Sequence, residues 1–266
     1  MKLAISNIAW AQEQEPQVFE ILKKYDVGGI ELAPTAIFPD WDACTAEAGA
    51  AYRCYLEKHG FEVPALQSIL FGRGDLSVFD SSCCDAFLKH IEQVASFAQG
   101  VGAGVLVFGS PKNRRRGQLS MGQAFEGAAP LLRAMGEICL HKDCVIGWEH
   151  NPIEYQCDFI NNLADVCEFV DYVDHPGVRV HGDAGGLDFC GEPLPHELFQ
   201  KAHFAHFHAS APYLDPISQQ KFDYSALIAA LRKEGYAQWL SIEMKRAENP
   251  LEVIEEAVRL ISDHLS

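Results

Sequence analysis

Eight short apolar, β-branched runs recur along the whole chain, and their spacing limits the fold more than any other feature. They are LAISNIA (3–9), VGGIELA (27–33), VPALQSIL (63–70), GVLVFG (104–109), CVIGWEH (144–150), GVRVHGD (177–183), AHFAHFHA (202–209) and WLSIEM (239–244). Strand-length runs alternating with helical stretches form βαβ units and a parallel sheet. Residues 85–99 show the helical half. Phe87, Leu88, Ile91, Val94, Ala95 and Ala98 share one face, and Gly100 follows as a stop. Asn249-Pro250 opens the last helix with a capping residue, Pro at the first helical position and Glu252 at the third. Eight units in 266 residues is about 33 residues each, the scale of a (β/α)8 barrel. An open doubly wound sheet is the alternative. No composition shift, Ser/Gly linker or low-complexity block interrupts the pattern, so residues 1–266 read as a single barrel domain.

Barrel chemistry sits where the strands end. Ser6 and Asn7 follow the first run, Glu31 closes the second, and Gln67 and Ser68 lie late in the third. Glu149, Asp183, His208 and Glu243 end the fifth to eighth. Solvated strand ends explain any one of these residues, but four consecutive ends in carboxylate or imidazole are harder to explain so. Side chains alternate along a strand. Glu149 therefore shares a side with Gly147, Asp183 with His181, His208 with His206, and Glu243 with Ser241 and Lys245. Three carboxylates with one imidazole favour a single divalent ion, Mn²⁺, Mg²⁺, Co²⁺ or Zn²⁺. Burying that many carboxylates without a cation would be costly.

Composition removes other classes. With 48% apolar and 22% charged residues the chain is ordinary globular protein, and no apolar stretch is long enough to span a membrane. The opening segment lacks the features of a signal peptide. The nine cysteines are odd in number and form no C-x-x-C pair, so reduced thiols in a cytoplasmic protein are expected. A net charge of −16 argues against nucleic acid as the main partner. Self-association into a homo-oligomer is left open.

With these residues in view, the chain resembles the xylose isomerase-like TIM barrels, the sugar phosphate isomerase/epimerase superfamily. The resemblance runs from KLAISNIAW to WLSIEMK and rests on GWEHNP, VHGDAGG, HFHAS and SIEMK. It implies a mononuclear metal site of Glu149, Asp183, His208 and Glu243, with Glu149 and Glu243 as the proton-transferring pair. VFGSPKNRR, EHNPIEYQCDFI and HFHASAPYL resemble a bacterial subgroup of that superfamily. One departure is Gly186, at a position where many relatives carry a histidine. The implied reaction is isomerisation or epimerisation of a small sugar or sugar derivative through a metal-stabilised enediolate. A lyase or dehydratase, an abasic-site-endonuclease-like phosphodiesterase and a non-catalytic sugar-binding barrel are the competing readings.

Several other features have dull explanations beside functional ones. Lys112, Arg114, Arg115 and Arg116 after the fourth run form either a solvated loop or a site for an anionic substrate, with Arg114 the favoured residue by resemblance. Lys245 is either ion-paired or a substrate contact, and Glu31, Gln67 and His206 are further candidate substrate contacts, although a supporting or core role is favoured for His206. GVGAG (100–104) ends a helix and precedes a strand, which makes it a turn and not a dinucleotide fingerprint. His150 and His203 point away from the site by parity and are assigned to packing. Trp10, Phe38, Trp41, Phe71 and Phe79 either wall a sugar-sized pocket or pack down.

Overall fold

The structure, a computed structural model, describes residues 1–191 and 196–265. All eight runs contain strands: β1 Lys2–Ser6, β2 Gly29–Glu31, β3 Ala65–Leu66, β4 Val105–Phe108, β5 Val145–Glu149, β6 Val178–Asp183, β7 Phe204–Ser210 and β8 Trp239–Glu243. They are parallel and ordered β2-β1-β8-β7-β6-β5-β4-β3. Single bridges Gly29↔Glu62 and Leu32↔Leu66 join β2 to β3, so the sheet is a nearly closed barrel with helices between strands. The doubly wound alternative is thereby set aside. No helix among the described residues is long and apolar enough to cross a membrane, and no disulfide joins the nine cysteines.

Local sequence explains the elements. The helix Cys84–Val101 buries Phe87, Ile91, Val94, Ala95 and Ala98 on one face. It stops at Gly102, whose φ of +85° suits a glycine cap, two residues beyond the expected stop. Gly100 serves packing instead, because a Cβ there would stand 2.1 Å from the Ala46 carbonyl oxygen. The last helix, Pro250–Leu265, buries Ile254, Ala257, Val258 and Ile261.

Strand alternation divides the apolar residues into two bodies. Leu106 and Phe108 join Ile146, Trp148, Phe207 and the helix faces in one large core outside the barrel. Val105 and Val107, on the other face of β4, form a small separate plug with Ala65 inside it. Beyond that plug the interior is polar, with Ser6, Glu31, Gln67, His181, His206, His208 and Ser241 all buried.

One irregularity positions the site. Between β6 and β7 the register shifts, so that Val180 is level with Phe204 but His181 with His206 and Asp183 with His208. Level residues point to the same face, so the extra residue on β7 puts both its histidines on the side of His181 and Asp183. On the outer face Phe207 overlies Gly182, where a Cβ would lie 2.1 Å from the ring. Phe207 is fully buried and cannot swing clear. Gly182→Ala should therefore cost about 1–3 kcal/mol by overpacking and lower the Tm by several degrees. An unchanged melting curve by calorimetry would contradict this packing.

Candidate active site

Glu31 is fully buried on β2 and accepts hydrogen bonds from two imidazoles across the barrel. His206 Nε2 lies 3.2 Å from its Oε2, and His208 Nε2 lies 2.9 Å from its Oε1. Burial would raise the Glu31 carboxyl, but His208 and His206 outweigh it and hold it well below the usual carboxylate range. With Nε2 of His208 committed to Glu31, its Nδ1 is left buried without a hydrogen-bond partner. Three carboxylates stand around that atom: Glu243 Oε2 at 3.2 Å, Glu149 Oε1 at 3.7 Å and Asp183 Oδ1 at 4.0 Å. The four residues come from four adjacent strands, β5 to β8.

Two of the three carboxylates are held by hydrogen bonds. Asp183 accepts from the Ser210 hydroxyl and from the Gly186 N–H (2.7 Å), capping the short helix Ala184–Phe189. Glu149 accepts from the Asn151 amide at 3.1 Å, and its Oε2 occupies space that a Cβ on Gly109 would fill at 2.4 Å. Burial and the neighbouring Asp183 push Glu149 up to about 8. Burial pushes Asp183 up to about 6 against the pull of His208, with Glu243 adding to the rise. His208 loses from burial but gains more from Glu31 and Glu243, and ends well above its ordinary value. Protons thus stand in for missing positive charge.

The donor set fits a divalent cation. An orphaned imidazole nitrogen faces three carboxylates at spacings that groups sharing one ion can have, given metal–ligand bonds of about 2.0–2.6 Å. Two other side-chain groups are also close enough to hold an ion, Glu31–His206–His208 and Glu149–His181–His208. In the first, direct hydrogen bonds already satisfy the carboxylate. In the second, the carboxylate and His208 Nδ1 belong to the four-residue site, and His181 Nε2 lies 3.3 Å from Glu149. The Nδ1 side is where the side chains could hold a cation.

A cavity of about 770 Å³ opens above this floor and is lined by Glu149, Asp183, His208 and Glu243 together with Gln67 and Lys112. Gln67 donates to the Ser6 hydroxyl at 2.6 Å. The other expected substrate contacts lie elsewhere. Glu31 and His206 sit beneath the floor, where their mutual bond holds His208. Arg114 is fully buried behind the wall. It donates to the Glu149 carbonyl, and its guanidinium carbon is 5.0 Å from the centre of the Trp148 ring. Lys245 turns outward to Asp215 at 2.6 Å, because β8 ends at Glu243 and strand parity ends with it. Arg115 bonds Gln156, and Arg116 bonds Asp158 and the Leu119 carbonyl.

Sequence reasoning missed Tyr155 and Tyr213, which line the cavity from loops after β5 and β7. No strand parity reaches such loops. Of the five loop aromatics considered, Phe71 is the one that lines the cavity. His150, assigned to packing, is buried with neither ring nitrogen bonded. Its Nε2 stands 2.4 Å from where a Cβ on Gly186 would be, so position 186 is closed to a side chain. Burial and nearby Arg114 lower His150 to about 3.

A family model described as xylose isomerase-like TIM barrel matches residues 19–264. No curated protein sequence matched the chain. Among solved structures, the 3-keto-D-glucoside 4-epimerase YcjR from E. coli is similar with a TM-score of 0.75 and 18% identity over 98% of each chain. The IOLI protein with a bound zinc atom is similar with a TM-score of 0.73 and 16% identity, over 100% of this chain and 96% of that one. An AP endonuclease of family 2 from Brucella melitensis gives a TM-score of 0.76 and 16% identity, over 96% and 97%. At these identities the likeness is one of fold.

Two outcomes follow from the geometry. Glu31→Gln removes the charge that orients His208, and metal affinity should fall by about 10–100-fold, the usual worth of such a partner. Competition against a chelating dye measures it, and unchanged affinity would remove Glu31 from this role. The second outcome concerns pH. Between its ordinary value of 4.5 and about 8, Glu149 keeps in the folded state a proton that the unfolded chain releases, so raising the pH favours unfolding. His208 acts in the same direction above 6.5. Above about pH 7.5 Glu31 is ionised, and His90, His150 and His181 are neutral, in both states, so they contribute little slope. The Tm of metal-stripped protein should fall from about pH 7.5 to 8.5, and saturating Mn²⁺ should reverse the fall. A stripped protein whose Tm is flat or rises across that window would refute the charge assignment.

Proposed function

The chain belongs to the xylose isomerase-like TIM barrels, and from that footing we propose that it is a divalent-metal-dependent isomerase or epimerase of a small sugar or sugar derivative. The observation that carries the proposal is the orphaned Nδ1 of His208, ringed by Glu149, Asp183 and Glu243 at the floor of a sugar-accommodating cavity. A bound ion would supply Lewis acidity to a carbonyl and an adjacent hydroxyl of the substrate. Asp183, fixed by Ser210 and the Gly186 N–H, serves to hold the ion and is not free to turn to substrate. Glu149 and Glu243 enter from the outer strands of the four-strand arc, with Asp183 and His208 between them. One removes the proton from the carbon beside the carbonyl, and the other returns it. Return to the opposite face of the same carbon is epimerisation, and return to the neighbouring carbon is isomerisation. Gln67, tied to Ser6, offers polar contact to substrate hydroxyls. The similarity to a 3-keto-D-glucoside 4-epimerase supports the reaction class, and that to a zinc-bound protein supports metal dependence. A reducing cytosol is the setting we assign, consistent with nine cysteines and no disulfide.

The phosphodiesterase reading has less support. A net charge of −16 repels a phosphate polymer. Arg114, Arg115 and Arg116 are all engaged by the protein itself. A lyase would begin with the same proton removal and differ only in expelling a leaving group.

Metal analysis of the purified protein, followed by solvent-deuterium incorporation into a panel of ketoses, aldoses and keto-glycosides, tests the proposal. Exchange into one of them without phosphodiester cleavage is expected. Absence of exchange in metal-loaded protein with any of the panel would count against it. Glu243→Gln keeps the size and one coordinating oxygen but removes the basic lone pair. It should fold normally, retain metal and lose C–H exchange by at least about 10²-fold. If rate returns with excess metal, Glu243 is only a ligand; full activity with normal metal content would refute both roles.

A further inference from the structure

The cavity is much larger than its charged floor requires. Its volume of about 770 Å³ lies in the upper part of the ~300–1,000 Å³ range of sites that enclose drug-sized ligands. A single pyranose ring over Glu149 and Glu243 leaves most of that space unfilled. The outer wall is apolar, built from Ile8, Leu70, Phe71, Pro111, Tyr213 and Leu214. Phe71 is 68% exposed and Tyr213 56% exposed, two of five large hydrophobic side chains so exposed among the described residues. Both residues line the cavity and leave more than half of their surface to solvent in the free protein. They gain when an apolar surface covers them.

Two polar groups of the lining are already used, while the ring nitrogens of His150 are not. The Asn113 amide donates to the carbonyls of Arg73 and Leu76, and the Ser68 hydroxyl donates to Gln67. Lys112 is the one Lys or Arg among the described lining residues, and it is exposed. A phosphate at this end would find no guanidinium fork, because Arg114 is buried behind the wall.

Tyr213 is also held in place deliberately by its surroundings. Tyr213 and Leu214 both have left-handed backbones, φ +60° and +56°, which side chains with a Cβ adopt only when neighbours enforce it. The Tyr213 N–H donates to the Tyr155 hydroxyl at 2.7 Å, and the Lys245 N–H donates to the Leu214 carbonyl at 2.8 Å. Tyr155, Phe189 and Tyr213 touch edge to face, with ring centres 5.3–5.7 Å apart. The ring that faces the cavity is a fixed surface.

We propose that the substrate is a carbonyl-bearing sugar with an apolar or aromatic group, a keto-glycoside in type, whose sugar lies on the carboxylate floor and whose appended group covers Phe71 and Tyr213. This rests on the sugar-isomerase reading for the position of the sugar and departs from a phosphorylated substrate.

The test is binding to the metal-loaded protein, measured by calorimetry and saturation-transfer NMR. The probes are matched phenyl and methyl glycosides of glucose, galactose and mannose, with glucose 6-phosphate and phenol beside them. At least one phenyl glycoside should bind about tenfold or more tightly than its methyl partner, the effect of stacking one added ring on aromatic walls. Saturation transfer should be strongest at the phenyl protons. Phe71→Ala should abolish the preference with metal content and Tm unchanged, and Phe71→Trp should retain it. Equal binding of every phenyl and methyl pair, no binding by any pair, preference for the phosphate, or a preference that survives Phe71→Ala would each overturn the proposal. A protein that self-associates through Phe71, losing its dimer in Phe71→Ala with no glycoside preference, would overturn it as well. A simple glycoside has no carbonyl beside which a proton could leave, so deuterium exchange is followed on the ring-oxidised keto forms of the same glycosides and on free ketoses, and it separates the two readings. Phenyl preference with no exchange into any of these carbonyl compounds would leave the apolar subsite standing while the isomerase reading falls. Exchange into free sugars without phenyl preference would do the reverse.

Discussion

The hydrogen bond from His208 to Glu31 determines what the centre of this barrel can do. A fully buried carboxylate is tolerable only with partners, and Glu31 takes two imidazoles, one from each inward histidine of β7. That pairing fixes which nitrogen of His208 carries the proton. Nδ1 is then aimed at Glu149, Asp183 and Glu243 with no hydrogen-bond partner in the protein, and its lone pair is free for a cation once its proton leaves. A carboxylate–imidazole pair oriented in this way raises the basicity of a metal ligand and locks its ring. Without Glu31 the imidazole could flip or protonate on the wrong side, and the three acids would surround no defined donor.

The cost of such a centre is carried elsewhere in the fold. The interior beyond the Ala65–Val105–Val107 plug is almost wholly polar, and clustered acids there oppose one another. The apolar body that stabilises the barrel is therefore the shell between strands and helices, where Phe108, Trp148, Phe159 and Phe169 interlock. Alternation along each strand lets one short segment serve both purposes. Trp148 faces the shell while Glu149, the next residue, faces the site.

That alternation is also why so much was legible in the amino-acid sequence. Eight apolar runs announced eight strands, and parity within them put Glu149, Asp183, His208 and Glu243 on the inner face. What escaped was whatever depends on partners distant in sequence or on backbone outside strands. The bond from Glu31 to His206 spans 175 residues, so Glu31 looked like a substrate contact and not the anchor of His208. Lys245 obeyed the parity of β8 only on paper, since the strand ends two residues earlier and the side chain turns to Asp215. Arg114 sits in a 3-10 turn whose direction no periodicity reveals, and it turns inward to the Trp148 ring. Gly186 is informative in retrospect. Its missing side chain leaves the room that His150 takes.

Strand ends and loops divide the labour of the site, and one short segment joins them. The floor residues stand on strands whose neighbours fix them in register, the placement that gives a site its precision. The wall residues Phe71 and Tyr213 stand on loops, where sequence can change without disturbing the barrel. Lys245, two residues beyond Glu243, connects the two parts. Its N–H holds the Leu214 carbonyl, and its ammonium holds Asp215 and the Tyr213 carbonyl. The strained turn that presents Tyr213 is thus tied to the strand end that presents Glu243. A shift of either would be felt by the other, so the aromatic wall of the cavity is set at a fixed distance from the carboxylate of its floor.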